Sequence, residues 1–317
     1  MIRYRDIVAA REPVYRHLHR TPLHRYPGLS ELTGAEIWVK HENHHAVGAF
    51  KVRGGVNLAE TLSEGDRRGG LYTASTGNHG QSIAFGGKVT GTPVTVAVPV
   101  GANPDKVASM RRLGATVIEH GADFDEAREW MGGVAEERGG RFIGPTEDEL
   151  VNAYGTYALE IFEDLPEVDV IVVPVGAGGG ASGCCLVAHE NGGRTDVIAV
   201  QAEQAPSQYL TWQAGASREG PMNTRAEGVA TRVPFENTRV ILREHLADFV
   251  LVSEPAMEEA VRLMLEHTHN LAEEAGAAPL AAALGLGPRI AGKKVVLVQS
   301  GGNLTLGRLA ELLTPAR

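Results

Sequence analysis

Lys51 lies in the run Gly48-Ala49-Phe50-Lys51-Val52-Arg53-Gly54-Gly55, beside an aromatic ring and at the start of a helical stretch. A lysine is ordinarily a solvated cation. Among apolar neighbours it gives up its proton more readily, and the neutral amine is a nucleophile. Two other segments have the makings of anion sites. Val173-Pro174-Val175-Gly176-Ala177-Gly178-Gly179-Gly180-Ala181-Ser182-Gly183 follows a β-branched run and precedes a helical one. Glycines let backbone amides approach an anion without a Cβ clash, and a helix start adds partial positive charge. The run lacks the Lys-Ser/Thr ending of a nucleotide P-loop, and taken alone it also reads as a structural turn. Ser75-Thr76-Gly77-Asn78-His79-Gly80-Gln81 offers hydroxyls, an amide and free N–H groups to a carboxylate, or simply caps a helix. Gln299-Ser300-Gly301-Gly302-Asn303 ends the last β-rich run, where α/β proteins place ligands; in isolation it is a turn.

The elements that must carry these segments alternate. Leu71–Ala74, Val94–Val98, Thr116–Ile118 and Arg141–Ile143 read as strands. His79–Lys88, Asp105–Leu113 and Asp123–Glu137 read as helices between them, with Asn103 as an N-cap and Gly114 as a stop. The alternation resumes with strands at Val168–Pro174, Val197–Gln201, Phe249–Val252 and Lys294–Gln299 and helices at Glu254–Thr268 and Leu271–Leu284. This pattern predicts two parallel-sheet units with right-handed crossovers. The polar, Gly- and Pro-containing stretch 214–236 predicts a long loop, of the kind that is functional or mobile.

With 317 residues the chain is long enough for two lobes. Hydrophobic residues make up 43% and charged residues 22%, which excludes a disordered chain. A net charge of -9 disfavours nucleic acid and anionic membrane as partners. No apolar run approaches the roughly 18 residues of a membrane span, and the Arg-rich start does not read as a secretory signal. The two cysteines, Cys184 and Cys185, are adjacent and read as packing residues in a reducing cytoplasm.

Taken together, in this order and strand context, the four segments resemble fold type II pyridoxal 5'-phosphate (PLP) enzymes of the tryptophan synthase β-like superfamily. The likeness is to threonine/serine dehydratases and serine racemases and runs from Thr21 to Gly302. It implies an α/β fold with a small domain, residues 62–144, inserted into a large PLP-binding domain, residues 1–61 and 145–317. It implies that Lys51 forms the Schiff base with PLP, that Phe50 packs on the pyridine ring and that Asn78 bonds the ring oxygen. By the same likeness Gly176, Ala177, Gly178, Gly179 and Gly180 cradle the phosphate, Ser300 faces the pyridine nitrogen, and Ser75, Thr76, Asn78 and His79 hold the substrate carboxylate. The implied reaction is β-elimination from a 3-hydroxy amino acid such as threonine, serine, phenylserine or 3-hydroxyaspartate, giving a 2-oxo acid and ammonia. A racemase and a catalytically inactive PLP-binding relative are the alternatives. A cytoplasmic homodimer is implied, with no partner other than its amino-acid substrate.

The sequence also departs from the pattern. The family often reads Thr-Gly-Ser-Phe-Lys where this chain has Val47-Gly48-Ala49-Phe50-Lys51. Racemases of the family carry a serine before the Gly-Asn-His triplet and many dehydratases an alanine; here it is Thr76, so Thr76 joins Lys51 as a candidate catalytic residue. A divalent-cation site beginning at Glu203 would need acidic partners near Ser207 and Tyr209, where there are none, so no metal is expected. The histidines between His41 and His45 read as substrate contacts or solvated side chains.

Overall fold

In the computed structural model, which describes residues 2–314, ten strands sort into two sheets. They are β1 (Leu23–Arg25), β2 (Glu36–His41), β3 (Leu71–Ala74), β4 (Val94–Val98), β5 (Thr116–Glu119), β6 (Arg141–Phe142), β7 (Val170–Pro174), β8 (Asp196–Ala202), β9 (Asp248–Val252) and β10 (Lys294–Gln299). The larger sheet has the order β1-β2-β10-β7-β8-β9 and the smaller β5-β4-β3-β6. All four strands of the smaller sheet lie between Leu71 and Phe142, so its unit is inserted into the unit of the larger sheet.

The central strands are buried on both faces, as continuous β-branched runs require. Along Val170-Ile171-Val172-Val173 alternate side chains enter two different cores. Ile171 and Val173 pack with Leu150, Tyr157, Ile161 and Val187 of helices Asp148–Asp164 and Gly179–Glu190. Val170 and Val172 pack with Met257, Val261 and Leu280 of helices Glu254–Thr268 and Glu274–Leu286.

Three expectations need correction. The larger sheet is mixed, because β1 pairs antiparallel with β2 at the edge, Leu23 opposite Lys40. A three-residue Leu-His-Arg strand has no readable period. The stretch 214–236 is not one loose loop: a helix runs to Ala214, a 3-10 turn spans Glu227–Val229, and Ala226 and Val229 are buried. His41 and His45 are core residues rather than solvated or substrate-facing ones. His41 meets the Tyr26 hydroxyl at 2.8 Å and stacks on His44, and loss of hydration lowers its pKa to about 4. Both cysteines sit buried on helix Gly179–Glu190, and burial pushes the Cys184 thiol up to about 12.

Candidate active site

The carboxyl ends of β3, β7 and β10 each lead into one of the glycine-containing segments, and these meet around Lys51. Lys51 is the N-cap residue of helix Val52–Glu60. The turn before it needs Gly48, whose φ is +69° and whose Cβ would lie 2.7 Å from Asn303 Oδ1. The turn is bonded to the loop after β10. Phe50 N donates to Ser300 O (2.9 Å), Gly302 N donates to Gly48 O (2.9 Å), and Ala49 bridges to Gly301. Helix Asn78–Thr90 closes the other side, where the Ser82 hydroxyl donates to the Lys51 carbonyl. Poor hydration lowers the pKa of Lys51, against the opposing field of Glu273 and Glu227.

Under this turn lies a fully buried ion network that the sequence reading did not find. Arg53 Nε meets Glu42 Oε2 and its Nη1 meets Glu160 Oε1, both at 2.7 Å. Lys40 Nζ meets Glu160 Oε2 at 2.5 Å. Thr21 and Tyr15 donate their hydroxyls to the two carboxylates. Two cations balance two anions, and the guanidinium fork holds both carboxylates well below or below their usual range despite burial. The network ties the lysine-bearing helix to β2 and to helix Asp148–Asp164.

The loop after β7 is a cradle of amides. Residues 176–180 donate none of their backbone N–H groups to a partner among the described residues. The Ala177 carbonyl is turned away, accepting from the Thr238 hydroxyl at 2.8 Å. A side chain on Gly176 would strike Gly228 O at 2.3 Å, and one on Gly180 would strike the Tyr157 hydroxyl at 2.8 Å. Five unpaired amides beside a helix N-terminus, with no room for a Cβ at the four glycines, fit a phosphate. Phe50 stands next to this cradle, edge-on to Tyr154 with ring centroids 4.8 Å apart.

The loop after β3 presents Ser75, whose hydroxyl accepts from Gly77 N at 3.2 Å. The Thr76 hydroxyl has no hydrogen-bond partner among the described residues, and neither does that of Ser300. His79 turns its ring inward, with Nε2 3.1 Å from Thr73 Oγ1, and burial lowers its pKa to about 3. Its ring is therefore neutral, and what it offers the cleft is its backbone amide. Asn78 is bonded at both ends of its amide, to Glu273 and to Asn303.

Three cleft residues escaped the sequence reading. Glu273 opens helix Glu274–Leu286 as its N-cap, and burial raises its carboxyl to about 7. Lys106, on helix Pro104–Arg112 of the inserted unit, pairs at 2.6 Å with Glu227 of the larger unit. A Cβ on Gly77 would lie 3.3 Å from Glu227 Oε2, so this pair stands directly over the Ser75–Asn78 turn. Glu227 lies in the stretch 214–236, and Lys106 and Glu273 lie in the helical stretches Asp105–Leu113 and Leu271–Leu284, where an acidic or basic residue reads as an ordinary solvated helix position. Where a cation site would begin, Glu203 is exposed and Ser207 donates its hydroxyl to Thr231 O. Among the described residues no group of three or more His, Cys, Asp or Glu could hold a metal ion.

A poorly hydrated lysine flanked by a cradle of free amides and a second N–H-lined turn, in the cleft of a two-unit α/β fold, fits a phosphorylated carbonyl cofactor. Residues 14–301 match the family described as pyridoxal-phosphate dependent enzyme, and the chain belongs to that family. It is 38% identical over 315 residues to an L-threonine ammonia-lyase of Thermotoga maritima, covering 99% of this chain and 78% of that one. It is 34% identical over 310 residues to a β-hydroxyaspartate dehydratase of Paracoccus denitrificans, covering 96% and 98%. Among solved structures, the processed form of threonine deaminase isoform 2 from Solanum lycopersicum superposes with a TM-score of 0.93 at 28% identity, covering 98% and 91%. Serine racemase from Dictyostelium discoideum gives 0.90 at 31% identity, covering 96% and 99%.

Proposed function

We propose that this chain is a PLP-dependent ammonia-lyase that eliminates water from a 3-hydroxy amino acid, giving a 2-oxo acid and ammonia. Threonine, serine and bulkier analogues such as phenylserine and 3-hydroxyaspartate are its substrate class. The observation that carries the reading is the meeting of the amide cradle, the Ser75–Asn78 turn and the Ser300 loop around one poorly hydrated lysine. Bound there, PLP supplies an electron sink for the pair left when the substrate's α C–H bond breaks.

The protein's own groups do the rest. Lys51 holds the cofactor through its amine and, once free, takes the α-proton. Phe50 would support the ring, Asn78 would donate to the ring oxygen, and residues 176–180 would bind the phosphate. Ser75, Thr76 and the amides of Asn78 and His79 orient the substrate carboxylate. Ser300 would offer the ring nitrogen a hydroxyl, which would not hold that nitrogen protonated as a carboxylate would. Charge is then less delocalised and departure of the β-hydroxyl is favoured. The Arg53 network carries two cations and two anions and adds no net charge beside the amine.

The domain limits belong to this reading: residues 62–144 as the small domain, 1–61 and 145–317 as the large one, supported by the confinement of the smaller sheet's strands to Leu71–Phe142. A cytoplasmic homodimer completes it, supported by two buried, unbridged cysteines and by the family likeness. A second reading, racemisation, is favoured by the unpartnered Thr76 hydroxyl. The test is a panel of 3-hydroxy amino acids assayed for 2-oxo acid and ammonia. Equal yields of both from at least one member are expected. No 2-oxo acid from any member overturns the proposal.

A further inference from the structure

The side-chain amide of Asn78 is held at both ends by residues of the other unit. Its Oδ1 accepts from Asn303 Nδ2 at 2.7 Å, and its Nδ2 donates to Glu273 Oε1 at 2.8 Å. Asn303 Nδ2 also donates to Val47 O at 2.8 Å, in the turn that delivers Lys51. An amide nitrogen has two hydrogens, so one N–H of Asn78 is left over. With the oxygen committed to a donor and one N–H committed to a carboxylate, the amide cannot flip without turning N–H against N–H and oxygen against oxygen.

We propose that Asn303 and Glu273 are positioning residues that lock the Asn78 amide so that its remaining N–H is fixed toward the cofactor's ring oxygen. The proposal rests on the assignment of Asn78 to that oxygen made above. A donor held at the ring oxygen favours the form in which that oxygen carries no proton. The lock therefore sets the proton distribution of the lysine-bound cofactor. Because Asn78 belongs to the inserted unit and its two holders to the larger one, the lock exists only when the units stand as they do here. Lys106 and Glu227, paired across the same cleft, and Lys51 are the other charged groups acting on Glu273.

The holoenzyme reports this directly, through the ratio of its longer-wavelength absorption band (ring oxygen deprotonated) to its shorter-wavelength band (ring oxygen protonated). Asn78→Ala, Glu273→Ala and Asn303→Ala should each lower the ratio, by about fivefold, the population shift that one ordinary hydrogen bond produces. In the Asn78→Ala background the other two substitutions should add nothing. If Asn78→Ala leaves the ratio unchanged, the assignment of Asn78 to the cofactor is wrong and the lock falls with it. If Asn78→Ala lowers it while Glu273→Ala and Asn303→Ala do not, the assignment stands and the lock alone is refuted. Full shifts from Glu273→Ala or Asn303→Ala without Asn78 would also refute it, since they would show direct action on the ring. Should the alanine variants lose cofactor, the isosteric pair decides. Glu273→Gln keeps an acceptor and should keep the ratio. Asn303→Asp removes the donor and should lower it; an unchanged ratio in Asn303→Asp overturns the lock.

Discussion

The proposed reaction asks Lys51 for an amine that gives up its proton readily, and its poorly hydrated setting lowers its pKa in that direction. On that proposal, removing the amine removes both the covalent hold on the cofactor and the proton acceptor. Lys51→Ala should lower turnover on the order of 10³-fold or more and abolish borohydride-fixed cofactor labelling, with an unchanged circular dichroism spectrum. Wild-type rates in that variant would dismiss the whole assignment. Thr76 decides between the two reactions. Racemisation needs a proton donor on the face of the substrate away from Lys51, and the threonine hydroxyl has no competing partner among the described residues. Its branched carbon nevertheless restricts χ1. Dehydration is expected to dominate. Thr76→Ser should raise any racemisation, and Thr76→Ala should remove it while sparing much of the elimination. Chiral chromatography of recovered substrate, run beside the 2-oxo acid assay, measures both. Opposite enantiomer accumulating faster than 2-oxo acid in the unmodified enzyme would reverse the order of the two readings.

At the scale of elements, the lysine is only as well placed as the helix Val52–Glu60 beneath it, and that helix is fixed through Arg53. Arg53→Met leaves Glu42 and Glu160 buried with one cation between them. It should cost about 3–5 kcal/mol of stability, measured by denaturant unfolding. Arg53→Lys should recover only part, because a single ammonium cannot fork across two carboxylates. A loss near zero in Arg53→Met would show that water enters and solvates the pair. This network also marks where the sequence stopped being readable. The strands Leu71–Ala74, Val94–Val98 and Lys294–Gln299 were legible to the residue, because short β-rich runs end there at Ser75, Pro99 and Ser300. Lys51 and the glycine run 176–180 were legible as candidates, because an apolar setting and a glycine-rich strand end are local features, but only the four segments together pointed to a cofactor. Arg53 and Glu160 are 107 residues apart, and nothing in either neighbourhood announces the other. The same holds for Glu273, which reaches Asn78 across 195 residues, and for the short edge strand β1, whose pairing is decided by β2 and not by its own pattern.

Over the whole molecule, three buried groups make stability depend on mildly acidic pH, and their signs can be worked out. His41 and His79 have folded pKa values of about 4 and about 3 against an ordinary 6.5, both lowered first by burial. The native state keeps them neutral where the unfolded chain protonates them, so their contribution is present above pH 6.5 and is lost as pH falls toward their folded values. Glu273 runs the other way. Its folded value, about 7 against an ordinary 4.5, is raised by burial, so it keeps a proton that the unfolded chain has released between those limits. Between pH 6.5 and 4.5 the unfolded chain therefore binds two protons at the histidines and the native state one at Glu273, a net difference of one. Glu42 and Glu160 have lowered values and act only below that window. The expected slope is a loss of about 1.4 kcal/mol per pH unit on acidification, read from denaturant midpoints of the cofactor-free protein. Glu273→Gln removes the opposing proton and should steepen the slope to about twice that value. His41→Gln should flatten it toward zero. A parent slope already near twice that value and unchanged by Glu273→Gln would mean that the carboxyl is ionised in the fold, and stability that rises on acidification would mean that the two histidines are protonated there.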